Sequence, residues 1–215
     1  PLYNDMYDIK ELTKDIYQNA ERQEFIKTLM STKINPNLYA IYLYNQLLCY
    51  AEVEKYGLEN SLFRTTTGLP RAEHIHYDFK ALWTSDSDPA PTPSTVNYIK
   101  HIQTIKEEPE KLYAHIYVRH LRDMNEGQLM MKNTPGPNRY YKFRHREIKD
   151  YKRIVNEIIN SYLNVYQINI LNEAKFAFAT TTQLYKEMDV ISGHKEMDKI
   201  EKELKNGDMG SLNKV

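Results

Sequence analysis

The stretch that decides the fold reads Glu108-Pro109-Glu110-Lys111-Leu112-Tyr113-Ala114-His115-Ile116-Tyr117-Val118-Arg119-His120-Leu121-Arg122-Asp123-Met124-Asn125-Glu126-Gly127-Gln128. Proline suits the first turn of a helix, where its missing N–H would have had no partner, so Pro109 opens a helix that runs through Leu129 and Met130. Asn133-Thr134-Pro135-Gly136-Pro137 breaks it. The rest of the chain repeats the pattern. Ile9, Leu12, Ile16 and Ala20 recur three or four residues apart and lead to Phe25 and Leu29, one apolar face. Asn35-Pro36 caps and opens a second helix, Leu38 to Tyr56, which Gly57 can end. It is apolar and aromatic almost all round, so it should be central. Leu69-Pro70 starts a third helix that reaches about Trp83, and Thr84 to Ser94 is a loop. Ser94 or Thr95 caps a fourth through Ile105. Two more follow the break, Tyr140 to about Tyr166 and roughly Ile168 to Met188. No segment alternates as a strand should. The expected architecture is an all-α, single-domain bundle over residues 1–190, with about seven main helices. Residues 191–215 read as a polar, partly disordered tail with one short helical pattern, Lys195 to Leu204.

Composition excludes several classes. Only 7 of 215 residues are glycine, and no Gly-rich phosphate loop is present. The formal net charge is zero, so no global field steers the chain to nucleic acid or anionic lipid. Cys49 is the only cysteine, which rules out an intrachain disulfide and a Cys-rich zinc site and fits a reducing compartment. No apolar run approaches the roughly 18–20 residues of a membrane span. The chain begins with Pro1, which fits removal of a targeting segment.

The 108–128 stretch resembles the distal-helix signature of the heme oxygenases, Tyr-x-Arg-x-Leu-Gly-Asp-x-x-Gly-Gly-Gln. Other patches agree in order. Lys10 to Glu21 resembles the family's first helix. Leu69, Arg71, Ile75, Asp78 and Phe79 match a further helix, and Tyr98-Ile99-Lys100 precedes the signature at the family's spacing. Asn172-Glu173-Ala174-Lys175, Ala177-Phe178 and Gln183-Leu184-Tyr185 resemble its last core helix, so the likeness spans about Asp8 to Asp189. The resemblance implies the heme oxygenase fold, with the first and fifth helices facing each other across a cleft. It also implies an enzyme that cleaves heme to biliverdin, iron and carbon monoxide with electrons from a reductase.

The departures from that pattern fall on the chemistry. The position of the family's proximal histidine is Tyr17. Two of the distal glycines are Arg122 and Glu126; Gly127 remains, and Asp123 matches the aspartate that organises distal water in the family. Glycine lets a backbone approach a flat ligand closely because it has no Cβ, and arginine and glutamate cannot reproduce that. Tyr17 reads either as a phenolate ligand to ferric iron or as an amphipathic residue at the bundle edge. Arg122 and Glu126, four apart, can pair on one face and fill the cleft, or stand as two solvated charges. Lys10, Lys14, Tyr117 and Lys175 resemble positions near the heme propionates, where cations suit carboxylates, or are ordinary surface residues. His115 reads as structural, and His74 and His76 face apart on their helix, so no metal site is expected.

Arg139, Lys142, Arg144, Arg146, Lys149, Lys152 and Arg153, interleaved with Tyr140, Tyr141, Phe143, His145 and Tyr151, form a basic, aromatic segment. In the family a similar face docks the reductase; such a patch also suits a protein partner or nucleic acid phosphate, or is a solvated helix face. The expected function is therefore a heme-oxygenase-like pseudoenzyme with no cofactor, acting as an interaction or scaffold protein. A retained fold with a lost reaction centre is similar to the plastid-targeted members of apicomplexan parasites, which implies a plastid location; no membrane partner is expected, since no apolar run is long enough. The alternatives are a heme oxygenase with a non-histidine ligand and a heme or tetrapyrrole carrier.

Overall fold

The computed structural model describes the backbone of residues 9–211 and the side chains through Gly193. Among the described residues every regular element is helical: α1 (Ile9–Leu12), α2 (Lys14–Glu21), α3 (Glu24–Met30), α4 (Pro36–Glu59), α5 (Ala72–Leu82), α6 (Pro93–Thr104), α7 (Pro109–Ile116), a π-helical segment (Tyr117–Leu121), α8 (Arg122–Asn133), a 3-10 turn (Arg139–Tyr141) and α9 (His145–Ser211). The all-α expectation holds.

Helix α4 is central and packs on α5, α6 and α7, while α9 runs along most of the other helices. The Asn35 side chain accepts from the N–H groups of Asn37 and Leu38, and Pro36 occupies the first turn. Burial runs unbroken from Leu38 to Leu43, whereas Ala51, Lys55 and Leu58 leave one face of the second half exposed. Cys49, Val53 and Tyr56 join one half of the core, with Leu112, Ile116, Val155 and Ile159. Leu38, Tyr39, Leu43 and Tyr50 join the other, with Phe25, Phe79 and Leu184. Each fully buried Leu, Ile or Phe contributes about 1.5–3 kcal/mol.

Several boundaries differ from the sequence reading, each for a local reason. Gly57 does not end α4; a Cβ there would lie 2.6 Å from the Phe63 ring, so glycine admits that ring. Ser61, with φ 59, turns the chain instead. Thr92 caps α6, through Thr95 N–H, one turn-start earlier than Ser94 or Thr95. The first apolar face is divided among α1, α2 and α3, with extended backbone at Gln23. The last helix starts at His145, because Tyr140 and Tyr141 belong to the 3-10 turn. Non-helical dihedrals at Tyr166 mark a kink where two helices were expected to meet, and the backbone then stays helical through Ser211, across much of 191–215.

The segment 139–142 is tied to α5 by the two charged residues of the 69–79 patch. Asp78 accepts from the N–H of Arg139 and Tyr140 at 2.9 and 2.8 Å. Buried Arg71 donates to the carbonyls of Gly68, Leu69, Pro70 and Lys142. Glu54 caps α5 through Arg71 and Ala72 N–H and also meets His120 Nε2 at 2.8 Å.

Candidate functional site

A cleft of about 720 Å³ opens between α1–α2 and the π segment with α8. Lys10, Lys14 and Tyr17 line one wall, Tyr117, Leu121, Arg122 and Glu126 the other, and Lys152, Asn156 and Phe178 of α9 the back. A π turn inserts a residue into the helical register. Here it lies between α7 and α8, and all five of its residues are buried.

Tyr17 and Glu126 meet across this cleft. The Tyr17 hydroxyl donates to Glu126 Oε1 at 2.7 Å, and the Tyr17 ring packs edge-on against Phe178 at 5.9 Å. Burial, then the hydrogen bond and charge of Glu126, raise the tyrosine pKa well above its ordinary value. That is opposite to what phenolate ligation needs. Burial also lifts Glu126 from 4.5 to about 7, against the opposing pull of Arg122. A raised folded-state pKa means that the native state holds the proton more tightly than the unfolded chain. The resulting stabilisation is complete below about pH 4.5 and is lost as pH rises through about 7. Glu126→Gln removes this dependence. It should match the parent near pH 4.5 and exceed it at pH 8 by about 1–2 kcal/mol, after allowance for partial exposure. Urea unfolding at both pH values checks this; equal differences at the two pH values would mean an ordinary solvated carboxylate.

Arg122 and Asp123 belong to the interior. Arg122 Nε and one terminal nitrogen donate to Asp123 Oδ1 at 3.1 and 3.0 Å. Glu126 is farther from Arg122, at 3.9 Å, so the i,i+4 pair is the weaker of its two. Asp123 Oδ2 accepts from the hydroxyls of Tyr50 and Tyr140. Both carboxylate oxygens are thus occupied by protein donors.

Gly127 faces away from the cleft. A Cβ there would lie 2.8 Å from Tyr141 Cδ1 and 2.9 Å from Tyr141 Cβ. The second atom is fixed to backbone, so ring rotation cannot relieve the contact. Gly127→Ala should therefore cost about 1–3 kcal/mol, read as a lowered thermal midpoint.

Of the proposed propionate-side residues, Lys10, Lys14 and Tyr117 line the cleft, whereas Lys175 is exposed and not among its lining residues. The basic segment is divided. Arg139 stacks on Tyr77 at 3.4 Å, Arg153 pairs with Glu157 at 2.9 Å, and Lys152 turns to the cleft. Lys142, Arg144, Arg146 and Lys149 are exposed, with Arg144 at 4.0 Å from Glu147. Lys152, Asn156 and Phe178 were not read as cleft residues in the sequence. For Lys152 and Asn156 the signal was the apolar stripe Tyr151, Val155, Ile159, which puts 152 and 156 on its flank.

The family model described as heme oxygenase matches residues 6–187. A heme oxygenase of Pyropia yezoensis is 25% identical over 210 residues, 86% of each chain. A heme oxygenase of Guillardia theta is 27% identical over 203 residues, 85% of each. The solved heme oxygenase of Leptospira interrogans superposes with a TM-score of 0.73 at 25% identity, covering 83% of this chain and 97% of that one. Heme oxygenase-1 of the cyanobacterium Synechocystis, solved in complex with heme, has a TM-score of 0.71 at 21% identity and covers 89% and 97%.

Proposed function

The chain belongs to the heme oxygenase family, and from that premise we propose that it is a pseudoenzyme, keeping the fold without the heme-degrading reaction. The observation that carries the reading is the Tyr17–Glu126 hydrogen bond at 2.7 Å across the cleft. The wall residues do not fit a proximally ligated heme. The only side chain offered at the ligand position is a phenol that burial and Glu126 keep protonated. Buried Arg122 stands where the family has a glycine, held by Asp123. No step of heme cleavage is therefore assigned to these residues.

In this reading the molecule acts through its surface, as an interaction or scaffold protein in a plastid, a location that rests on the resemblance to plastid-targeted members. The exposed cations Lys142, Arg144, Arg146 and Lys149 suit an acidic protein or a nucleoprotein. Such binding should weaken with salt and with Arg144→Glu plus Arg146→Glu.

A carrier of heme or another tetrapyrrole is the second reading, favoured by Lys10, Lys14 and Lys152 around a cleft of about 720 Å³. One titration separates the readings. The purified chain is titrated with hemin, followed by reductant and oxygen. The pseudoenzyme reading expects no saturable Soret shift, and expects Tyr17→His with Arg122→Gly and Glu126→Gly to restore binding. Saturable binding by the parent without turnover would favour the carrier. Stoichiometric binding with biliverdin release would overturn the pseudoenzyme reading.

A further inference from the structure

Away from the cleft, three side chains with metal-ligating atoms meet from three helices. They are His101 on α6, His115 on α7 and Glu173 on α9, and their ligand atoms lie within 4.8 Å of one another. We propose that His101, His115 and Glu173 form a site for a divalent cation of the zinc class.

The donor set suits that ion. Zinc takes imidazole nitrogen and carboxylate oxygen at about 2.0–2.2 Å in tetrahedral geometry, which separates neighbouring ligand atoms by roughly 3.3 Å. Glu173 Oε2 already faces both rings, 2.6 Å from His101 Nε2 and 2.9 Å from His115 Nε2. A bound ion would require those two contacts to open toward roughly 3.3 Å and all three ligand atoms, now within 4.8 Å of one another, to take similar separations. Two imidazoles and one carboxylate leave a fourth position. The His101 side chain is 28% exposed, so the cluster reaches the surface on that side.

The surroundings orient the ligands. His115 Nδ1 lies 2.8 Å from the Tyr98 hydroxyl, an outer partner that sets ring orientation and tautomer. The His101 ring packs on Phe176 with centroids 4.0 Å apart. Lys111, one turn before His115, is engaged by Glu108 at 2.6 Å. Bound metal would tie α6, α7 and α9 together. Without it, the same residues form a hydrogen-bonded cluster, and the two states differ in metal uptake. The site is separate from the cleft, so its failure leaves the pseudoenzyme reading untouched.

The test uses the tag-free chain, stripped with chelator and titrated with zinc sulfate against a chromophoric competitor, with cobalt(II) absorption as a second readout. One zinc per chain and intense tetrahedral cobalt bands are expected. His101→Ala should abolish the cobalt bands and weaken zinc by more than the roughly 10- to 100-fold expected for Tyr98→Phe, which removes only the outer partner. His74→Ala with His76→Ala should change neither. Circular dichroism checks that each variant is folded, and Tyr98→Phe keeps the question open to test if His101→Ala is not. Absence of stoichiometric zinc in the parent, or uptake unchanged in both His101→Ala and Tyr98→Phe, would overturn the proposal.

Discussion

Asp123→Ala is expected to lower the unfolding free energy by about 3–5 kcal/mol, seen as a large fall in the urea midpoint with helical circular dichroism intact below it. The residue is 8% exposed and takes three donors: Tyr50, Tyr140 and Arg122. Alanine leaves two buried hydroxyls without this acceptor. It also leaves the Arg122 guanidinium, itself 7% exposed, with Glu126 at 3.9 Å as a counter-charge. Removing one member of a buried pair costs more than removing both, because an uncompensated charge remains. Arg122→Met added to Asp123→Ala should therefore recover part of the loss. Asp123→Asn keeps an acceptor and loses the charge, so it should fall between. Domains of this kind have about 5–15 kcal/mol in total, which makes the effect easy to measure. A loss under about 1 kcal/mol for Asp123→Ala would show that the three donors find other partners.

What could be read from the sequence follows the range of the interaction. Helices with local punctuation were legible: Asn35-Pro36 and Pro109 mark starts because caps and first-turn prolines act within one turn. The π segment has no such mark, since Tyr117–Leu121 contains neither proline nor glycine and its cause is tertiary. Gly57 misled for the same reason; the ring it admits, Phe63, comes after the helix has ended. At the candidate site, Tyr17, Arg122 and Glu126 were legible as departures from a pattern. The Arg122–Glu126 pair was legible too; the Tyr17–Glu126 and Arg122–Asp123 contacts were not. Tyr17 and Glu126 are 109 residues apart, and Arg122 prefers its neighbour Asp123 to the i,i+4 carboxylate. The His101–His115–Glu173 cluster was hidden likewise, because its members are brought together from three helices.

Arg71→Ala is expected to cost about 3–5 kcal/mol and to free the basic segment from the bundle. The Arg71 side chain joins two parts of the chain, 68–70 and 142–143. Its Nε donates to the carbonyls of Leu69 and Pro70, one terminal nitrogen to Gly68 and the other to Lys142 at 3.0 Å. Its guanidinium lies 4.0 Å from the Phe143 ring centroid, a cation–π contact. The charge of Glu54 stabilises it, although burial lowers its pKa overall. Alanine removes the side-chain donors and a positive charge near that carboxylate, which keeps the Arg71 and Ala72 N–H groups and His120. Arg71→Lys should recover little, because an ammonium cannot reach four carbonyls on two segments with a planar fork. The distinguishing measurement is hydrogen exchange. Tyr140 N–H, held by Asp78, and Lys142 N–H, held by the Arg139 carbonyl, should lose protection more than amides in α4. Uniform loss across the bundle would instead mean that Arg71 supports the whole core. If the local loss is seen, the cations at 142–149 owe their fixed position to Arg71. Any partner that reads their spacing should then bind Arg71→Ala more weakly, although none of those cations has changed.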